Sequence, residues 1–188
     1  GKPMATQLVL DEQGREVARY DKLHLFDVDV SDSHSTYRES KDYAFGDQLV
    51  CLDSPVGRLG LSICYDVRFP KLYQDYANAG AEIMTVPAAF TRPTGEAHWE
   101  ILLKARAIET ASFVVAPAQG GQHEDGRATW GRSMIVSPWG EVLADAGPGE
   151  KVIYADLDIE VVNEVRIVLE RVSLRAILIR ALKPFPGS

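Results

Sequence analysis

The stretch GLSICYDVRFP, residues Gly60–Pro70, is the most informative part of the sequence. Its apolar run predicts a β-strand that ends near Cys64, and the residues that follow predict a helix over Phe69–Ala79, ended by Gly80. The Cys64 thiol is therefore expected at a sharp turn between strand and helix. Such a corner lifts a nucleophile out of a sheet, and the free N–H groups of the helix start favour a thiolate and a nearby oxyanion. The alternative is a buried structural cysteine at a strand end, which is common in proteins.

Predicted strands alternate with helices on both sides of this corner, and the first and last strands form hairpins. A second helix is expected over Gly95–Thr110, with Thr94 as its cap, and the last strand over Val152–Leu157. The polar segment Asp27–Asp47 is expected to be a long loop. This order of elements indicates an α/β sandwich with a mixed sheet.

The composition narrows the class of protein. A chain of 188 residues is long enough for one sizeable core, and a net charge of -7 argues against nucleic acid or an anionic membrane as a partner. Two cysteines, Cys51 and Cys64, make no disulfide framework, so we expect free thiols in the cytoplasm. The four histidines lack the spacing of a metal site, and no glycine-rich phosphate loop is present. We therefore expect no metal and no cofactor.

Two charged residues can be interpreted in two ways. Lys22 lies in an apolar strand pattern, where a lysine either extends to water along its apolar stem or is placed for chemistry. Glu39 lies in the polar segment, where a solvated carboxylate is the commoner case.

Several linked motifs occur in a fixed order along the chain. They are YDKLHLFD (20–27), YRES (37–40), CYDVRFP (64–70), TGEAHWE (94–100) running into KARAIE (104–109), and WGRSM (130–134) followed by PWG (138–140). Together they resemble the nitrilase superfamily of carbon–nitrogen hydrolases, and most of all its branch of small amidases that act on deaminated glutathione and related omega-amides. The resemblance runs from about Gln7 to about Val165.

The resemblance implies an α-β-β-α sandwich that pairs through its helices, which predicts a homo-oligomer. It also implies an amidase that cleaves small omega-amides through a cysteine thioester. By motif position Cys64 is the nucleophile, Lys22 and the backbone N–H of Tyr65 meet the oxyanion, and Glu39 holds the lysine and the attacking water. The positive charge of Lys22 is also expected to lower the pKa of the thiol.

Substrate-binding residues are predicted from position alone. Phe90, Thr91 and Arg92 follow a strand end on the same side as Cys64, so they are candidates for the wall of a pocket. Arg92 or Arg68 could pair with a substrate carboxylate. For Arg68 we favour a structural ion pair with Asp66 or another neighbouring acid.

The family pattern also contains a general-base glutamate upstream of the lysine. Since the motifs begin inside that pattern, we expect an N-terminally truncated domain over residues 1–158 that lacks this glutamate. An alternative function is then a catalytically weak or inactive homologue that acts as an assembly or binding module. A weaker alternative is a Cys–His hydrolase with His98 or His123 as the base.

The last residues, 159–188, are predicted to form an atypical helical tail. Val162, Val165, Leu169, Val172, Ala176 and Ile179 repeat at spacings of three and four, which is one apolar stripe of coiled-coil period. The stripe either covers the core of this chain or binds a partner.

Overall fold

The structure is a computed structural model that describes residues 1–29, 36–124 and 126–169. The strands are β1 (Thr6–Leu10), β2 (Glu16–Asp21), β3 (Asp27–Asp29), β4 (Thr36–Arg38), β5 (Cys51–Ser54), β6 (Gly57–Leu61), β7 (Ile83–Thr85), β8 (Phe113–Ala116), β9 (Gly120–Gln122), β10 (Ala128–Trp130), β11 (Met134–Val136) and β12 (Val142–Asp145). The helices are α1 (Pro70–Asn78), α2 (Arg92–Thr110) and α3, which is described over 160–169. Short 3₁₀ turns cover Glu39–Lys41 and Cys64–Arg68.

A six-stranded mixed sheet is the centre of the fold, with the order β12-β11-β8-β7-β6-β5. Its three middle strands, β6, β7 and β8, are parallel, and α1 and α2 form the crossovers between them. The carboxyl ends of parallel strands meet at one edge of a sheet, where ligands usually bind. The turn with Cys64, the loop with Phe90 and the residues after Ala116 therefore lie at the same edge.

Both helices pack on one face of this sheet because each carries an apolar stripe of helical period. In α2 the buried residues Trp99, Leu103 and Ala107 recur every fourth position. They form the main core with alternate strand residues such as Met84 and Val114.

The opposite face of the sheet is covered in two places. Ile83 and Phe113 pack against Val162 of α3, which is fully buried. The β1–β2 hairpin is attached nearer the carboxyl edge, where the Gln7 side-chain amide donates to the Thr85 hydroxyl at 2.9 Å. The predicted α/β class is confirmed. The described residues form a helix layer, a central sheet, and a further layer that contains this hairpin and α3.

Three local predictions were wrong. The helix α2 begins at Arg92, with the extended residue Thr91 before it, because Pro93 is well suited to the first turn. The polar segment 27–47 contains β3, β4 and a 3₁₀ turn. No strand covers 152–157 in the described part of the chain, and the Tyr154 side chain is 84% exposed.

The first part of the tail belongs to the core of this chain. Val162 and Val165 of the predicted stripe are buried, and the Arg166 guanidinium donates to the Ala81 carbonyl at 2.5 Å. The rest of the stripe, from Val172 to Ile179, lies outside the described residues, so a separate tail from 159 stays a prediction. Within the described residues, no helix has both the length and the apolar character that crossing a bilayer requires.

Candidate active site

The corner after β6 has an unusual backbone. Cys64 adopts a φ of 52°, a left-handed conformation that side-chain-bearing residues rarely take. Its N–H donates to the Pro87 carbonyl at 2.9 Å, which ties the corner to the loop after β7. The chain then makes the 3₁₀ turn Cys64–Arg68 before α1 starts at Pro70. Non-glycine residues held in this conformation cluster at functional sites, so the geometry matches that of a nucleophile on a sharp turn.

Lys22 and Glu39 form a short ion pair beside this corner. The Lys22 ammonium lies 2.6 Å from Glu39 Oε2, and only 3% of the lysine is exposed. Glu39 Oε2 also accepts the Phe26 N–H at 2.6 Å. A buried lysine with a carboxylate partner does not extend to solvent, so the alternative interpretation of Lys22 is wrong. Glu39 likewise is more than a solvated loop carboxylate.

One cavity of about 1080 Å³ brings the predicted residues together. Of these residues, the ones in its wall are Lys22, Glu39, Cys64, Tyr65, Phe90 and Thr91. Arg92 does not line the cavity, because it is the exposed first residue of α2. Its place is taken by Arg68, which lies in the cavity wall.

Several groups act on the Cys64 thiol. Burial raises the pKa of the thiol above its ordinary value, and this effect outweighs the opposing influence of the Lys22 charge and of the Ala89 backbone N–H. The carboxylates of Glu39 and Asp66 raise the thiol pKa further. Lys22 thus lowers the pKa as predicted, but it does not make the resting thiol a thiolate. A proton acceptor is therefore needed before the sulfur can attack.

The Tyr65 N–H is well placed to meet a developing negative charge. It follows the candidate nucleophile directly, and among the described residues no hydrogen-bond acceptor faces it. The neighbouring N–H groups of Cys64 and Asp66 donate to the carbonyls of Pro87 and Ile63. Tyr65 therefore offers a free donor on the cavity side of the corner.

Arg68 is held by aromatic rings. Its guanidinium carbon lies 5.3 Å from the centre of the Phe90 ring and 5.8 Å from that of Tyr65, and one of its nitrogens lies 3.3 Å from His98 Nδ1. Within the described part of the chain no carboxylate pairs with it, so the predicted ion pair with Asp66 was wrong. Burial lowers the pKa of Arg68 from its ordinary value, but a guanidinium remains charged at neutral pH. Arg68 is a cation available to the cavity.

Sequence reasoning missed Asp66 as part of the site, although it lies within the opening stretch. Its fully buried carboxylate accepts hydrogen bonds from Tyr20, His24 and Ile63. The only local signal was its position two residues after the cysteine. A turn at this place leaves backbone N–H groups unpaired, and a carboxylate can accept hydrogen bonds from them.

The histidines proposed as alternative bases lie elsewhere. Neither His98 nor His123 lines the cavity, and His123 Nε2 lies 2.8 Å from the Thr129 hydroxyl. Within the described residues, no group of three or more histidine, cysteine, aspartate or glutamate side chains could hold a metal ion.

Comparison with known proteins gives the geometry a family. The deaminated glutathione amidase of Yersinia enterocolitica is 55% identical over 138 residues, which are 73% of this chain and 48% of that protein. The chain therefore spans about half the length of this curated relative.

Solved structures agree with this similarity. The NitFhit protein of C. elegans matches with a TM-score of 0.85 and 43% identity, over 92% of this chain and 42% of that one. A mutant amidase from Nesterenkonia sp. AN1 matches with a TM-score of 0.65 and 30% identity, over 76% of this chain and 50% of that one. That mutant shows covalent addition of the acetamide moiety of fluoroacetamide at its active site cysteine. The family model described as carbon-nitrogen hydrolase matches residues 1–167. On the strength of this match, the chain belongs to the carbon-nitrogen hydrolase family, within the nitrilase superfamily.

Proposed function

We propose that this chain carries the catalytic centre of an amidase that hydrolyses the terminal amide of small carboxylate-bearing molecules, the omega-amides. One observation carries the proposal. The buried Lys22–Glu39 pair, with its 2.6 Å contact, lines the same cavity as Cys64 on its left-handed corner. The similarity to an amidase and to a cysteine-modified amidase structure supports it.

The first step is attack by the Cys64 sulfur on the amide carbon. A C–S bond forms, the carbonyl oxygen becomes an oxyanion, and the Lys22 ammonium and the Tyr65 N–H stabilise it. Collapse of this intermediate breaks the C–N bond, and nitrogen leaves as ammonia after taking up the proton released by the thiol. Water then hydrolyses the thioester to a carboxylate and restores the thiol.

Glu39 is proposed to orient the lysine in both steps. Its Oε2 is occupied by the Lys22 ammonium and the Phe26 N–H, so it holds Lys22 against the cavity wall. The proton taken from Cys64 must pass through a carboxylate. The family resemblance assigns that transfer to a glutamate that precedes the lysine in the family pattern.

The residues around Arg68 favour a substrate that has a negative charge at the end remote from its amide. Arg68, Phe90 and Thr91 line the same cavity as the Lys22–Glu39 pair and combine a cation, a ring and a hydroxyl. A guanidinium binds a carboxylate in bidentate geometry, which would orient the amide end towards Cys64. The predicted role of Arg92 in substrate binding is therefore assigned to Arg68.

The proposal also places this centre in a cytoplasmic homo-oligomer that acts on a small molecule. Two free thiols, Cys51 and Cys64, fit a reducing compartment. Exposed apolar side chains on and beside α2, namely Ile101, Ile108 and Trp139, support self-association through a helix face.

Ammonia release tests the function. Succinamate, which has an amide at one end and a carboxylate at the other, should form a thioester on Cys64 that mass spectrometry can detect. It should also release ammonia, but slowly, because no residue of this chain is assigned as the general base, and such a base typically contributes about 10²- to 10⁴-fold. The Cys51→Ala variant should behave like the parent chain. Failure to release ammonia and to form the thioester, with succinamate still bound, would contradict the proposal and support the alternative of a binding module.

A further inference from the structure

Asp66 is the most heavily hydrogen-bonded side chain near the site. Its Oδ2 accepts the Tyr20 hydroxyl at 2.7 Å and the Ile63 N–H at 2.8 Å. Its Oδ1 accepts the His24 N–H at 3.0 Å and lies 2.7 Å from His24 Nδ1. The carboxylate is completely buried, so each of these contacts replaces a lost water.

The arrangement fixes the position of the histidine proton. A carboxylate has about four acceptor sites. Three are occupied by the Ile63 and His24 N–H groups, which can only donate, and by the Tyr20 hydroxyl, whose oxygen already accepts the Leu23 N–H and whose proton is donated to the carboxylate. The fourth contact is favourable only if His24 Nδ1 carries its proton and donates to Asp66.

These contacts join the two halves of the proposed site. His24 lies two positions after Lys22, and Ile63 lies one position before Cys64. The His24 ring also stacks on Phe69, with ring centres 3.6 Å apart, so the segment after Lys22 rests on the residue that precedes α1.

The segment that follows Lys22 is also held by hydrogen bonds at its other end, at Phe26. Glu39 binds both the Lys22 ammonium and the Phe26 N–H. Asp66 acts between these points, on His24. Glu39 thus holds the two ends of this segment and Asp66 holds its middle residue. Asp66 belongs to the 3₁₀ turn that begins at Cys64.

We propose that Asp66 and His24 are a positioning pair that fixes the Lys22 ammonium relative to the Cys64 sulfur. This inference rests on the proposed function, since it takes Lys22 and Cys64 as the reacting centre. Neither Asp66 nor His24 lines the cavity, so both act through other residues and do not touch substrate.

The pH dependence of Cys64 alkylation by iodoacetamide is the measurement. The charged groups that act on the thiol are Lys22, Glu39, Asp66 and Arg68. Removing the lysine charge with Lys22→Met should move the midpoint of the alkylation profile to higher pH by about one unit. Alkylation of Cys51 in the same sample reports any general loosening of the fold.

His24→Leu should move the Cys64 midpoint in the same direction as Lys22→Met, because the lysine is no longer held in place. His24→Asn, which keeps a donor near the Nδ1 position, should restore most of the parent profile. In a Lys22→Met background, His24→Leu should cause no further shift. Tyr20→Phe removes another donor to Asp66 without changing the packing volume much, and it should give a smaller shift in the same direction.

The outcomes separate the two proposals. If Lys22→Met shifts the midpoint and neither His24→Leu nor Tyr20→Phe does, the positioning pair is overturned and the proposed function stands. Equal shifts from His24→Leu with and without Lys22 also overturn the pair, since His24 then acts on the thiol independently. No shift from Lys22→Met also overturns the positioning pair, because the lysine then does not act on the thiol, while ammonia release from succinamate tests the proposed function independently. Should His24→Leu fail to fold, the Tyr20→Phe variant in both backgrounds decides in the same way.

Discussion

The chain contains two cysteines, one at the start of β5 and one at the corner after the neighbouring strand β6, and their surroundings differ. Cys51 begins β5, and its register partner Gly60 lies on β6, four residues before Cys64. Each thiol also has an arginine nearby. Arg58 interacts with Cys51 and pairs with Asp53 at 2.7 Å, whereas Arg68 faces the cavity between aromatic rings.

The difference lies in the backbone and in what surrounds the sulfur. Cys51 is the first residue of an ordinary strand and packs against the core, while Cys64 has a φ of 52° and lines the cavity with Lys22 and Glu39. A nearby cation alone therefore does not make a thiol a candidate nucleophile. What distinguishes Cys64 is a left-handed corner in the wall of a cavity that also contains the proposed oxyanion donors.

The largest test of this contrast is removal of each sulfur. Cys64→Ala should reduce ammonia release from succinamate by about 10³-fold or more, because loss of a nucleophile removes the covalent route. Cys51→Ala should leave the rate unchanged. The rates of both variants and the parent chain are compared at saturating substrate. A large loss of ammonia release in Cys51→Ala, with its thermal unfolding unchanged, would contradict the assignment of Cys64 as the reacting thiol.

The second test removes the cation that distinguishes the two sites. Lys22→Met should lower kcat by about 10²- to 10³-fold, since one oxyanion donor is lost. The matched control is Lys41→Met, because Lys41 is exposed near Glu39 and does not line the cavity. Steady-state kinetics of the two variants decide the matter. Equal kcat values would mean that the buried ammonium has no part in the reaction.

The third test compares two arginines, Arg68 in the cavity wall and Arg92 at the start of α2. Arg68→Leu should raise the KM for succinamate by about 10- to 100-fold, as expected for loss of a charged hydrogen bond. It should change the KM for butyramide, which has no carboxylate, far less. Arg92→Leu is the control, because Arg92 is exposed and outside the cavity wall. A similar rise for both substrates would show that Arg68 shapes the cavity without binding the carboxylate.

The smallest effect concerns backbone strain. The Cys64→Gly variant should have a free energy of unfolding about 1 kcal/mol higher than Cys64→Ala, because the left-handed conformation disfavours residues with a Cβ. At Cys51 the order should reverse by about 0.5–1 kcal/mol, since glycine weakens a strand. Urea unfolding of the four variants measures both differences. The same order at both positions would contradict the strain assigned to the corner.

The corner at Cys64 could be predicted from sequence because its determinants are local. An apolar run, Pro70 and a helical pattern lie within a few residues of the thiol, so strand, turn and helix follow from neighbours in the chain. The residues Lys22, Glu39, Tyr65, Phe90 and Thr91 were placed near it by family motifs or by position after a strand, and the cavity contains all of them.

What the sequence did not predict depends on distant contacts. The state of Lys22 depends on an acid 17 residues away, and one partner of Asp66 is 46 residues away. Arg92 was misplaced because Phe90 and Thr91 are buried in the loop after β7, whereas the next residue begins α2 and is exposed. Periodicity within one segment contains no information on such pairings.

The contact between Gln7 and Thr85 has a consequence for the synthesis of the protein. The two residues are 78 positions apart, so at about 5–20 residues per second the ribosome needs about 4–16 seconds to pass from one to the other. During that interval the hairpin that leads to Lys22 has no β7 to rest on, and the loop with Phe90 does not yet exist. Cys64 therefore lacks these neighbours when it is first synthesised, and the proposed oxyanion site is completed only after β7 and its loop have been made.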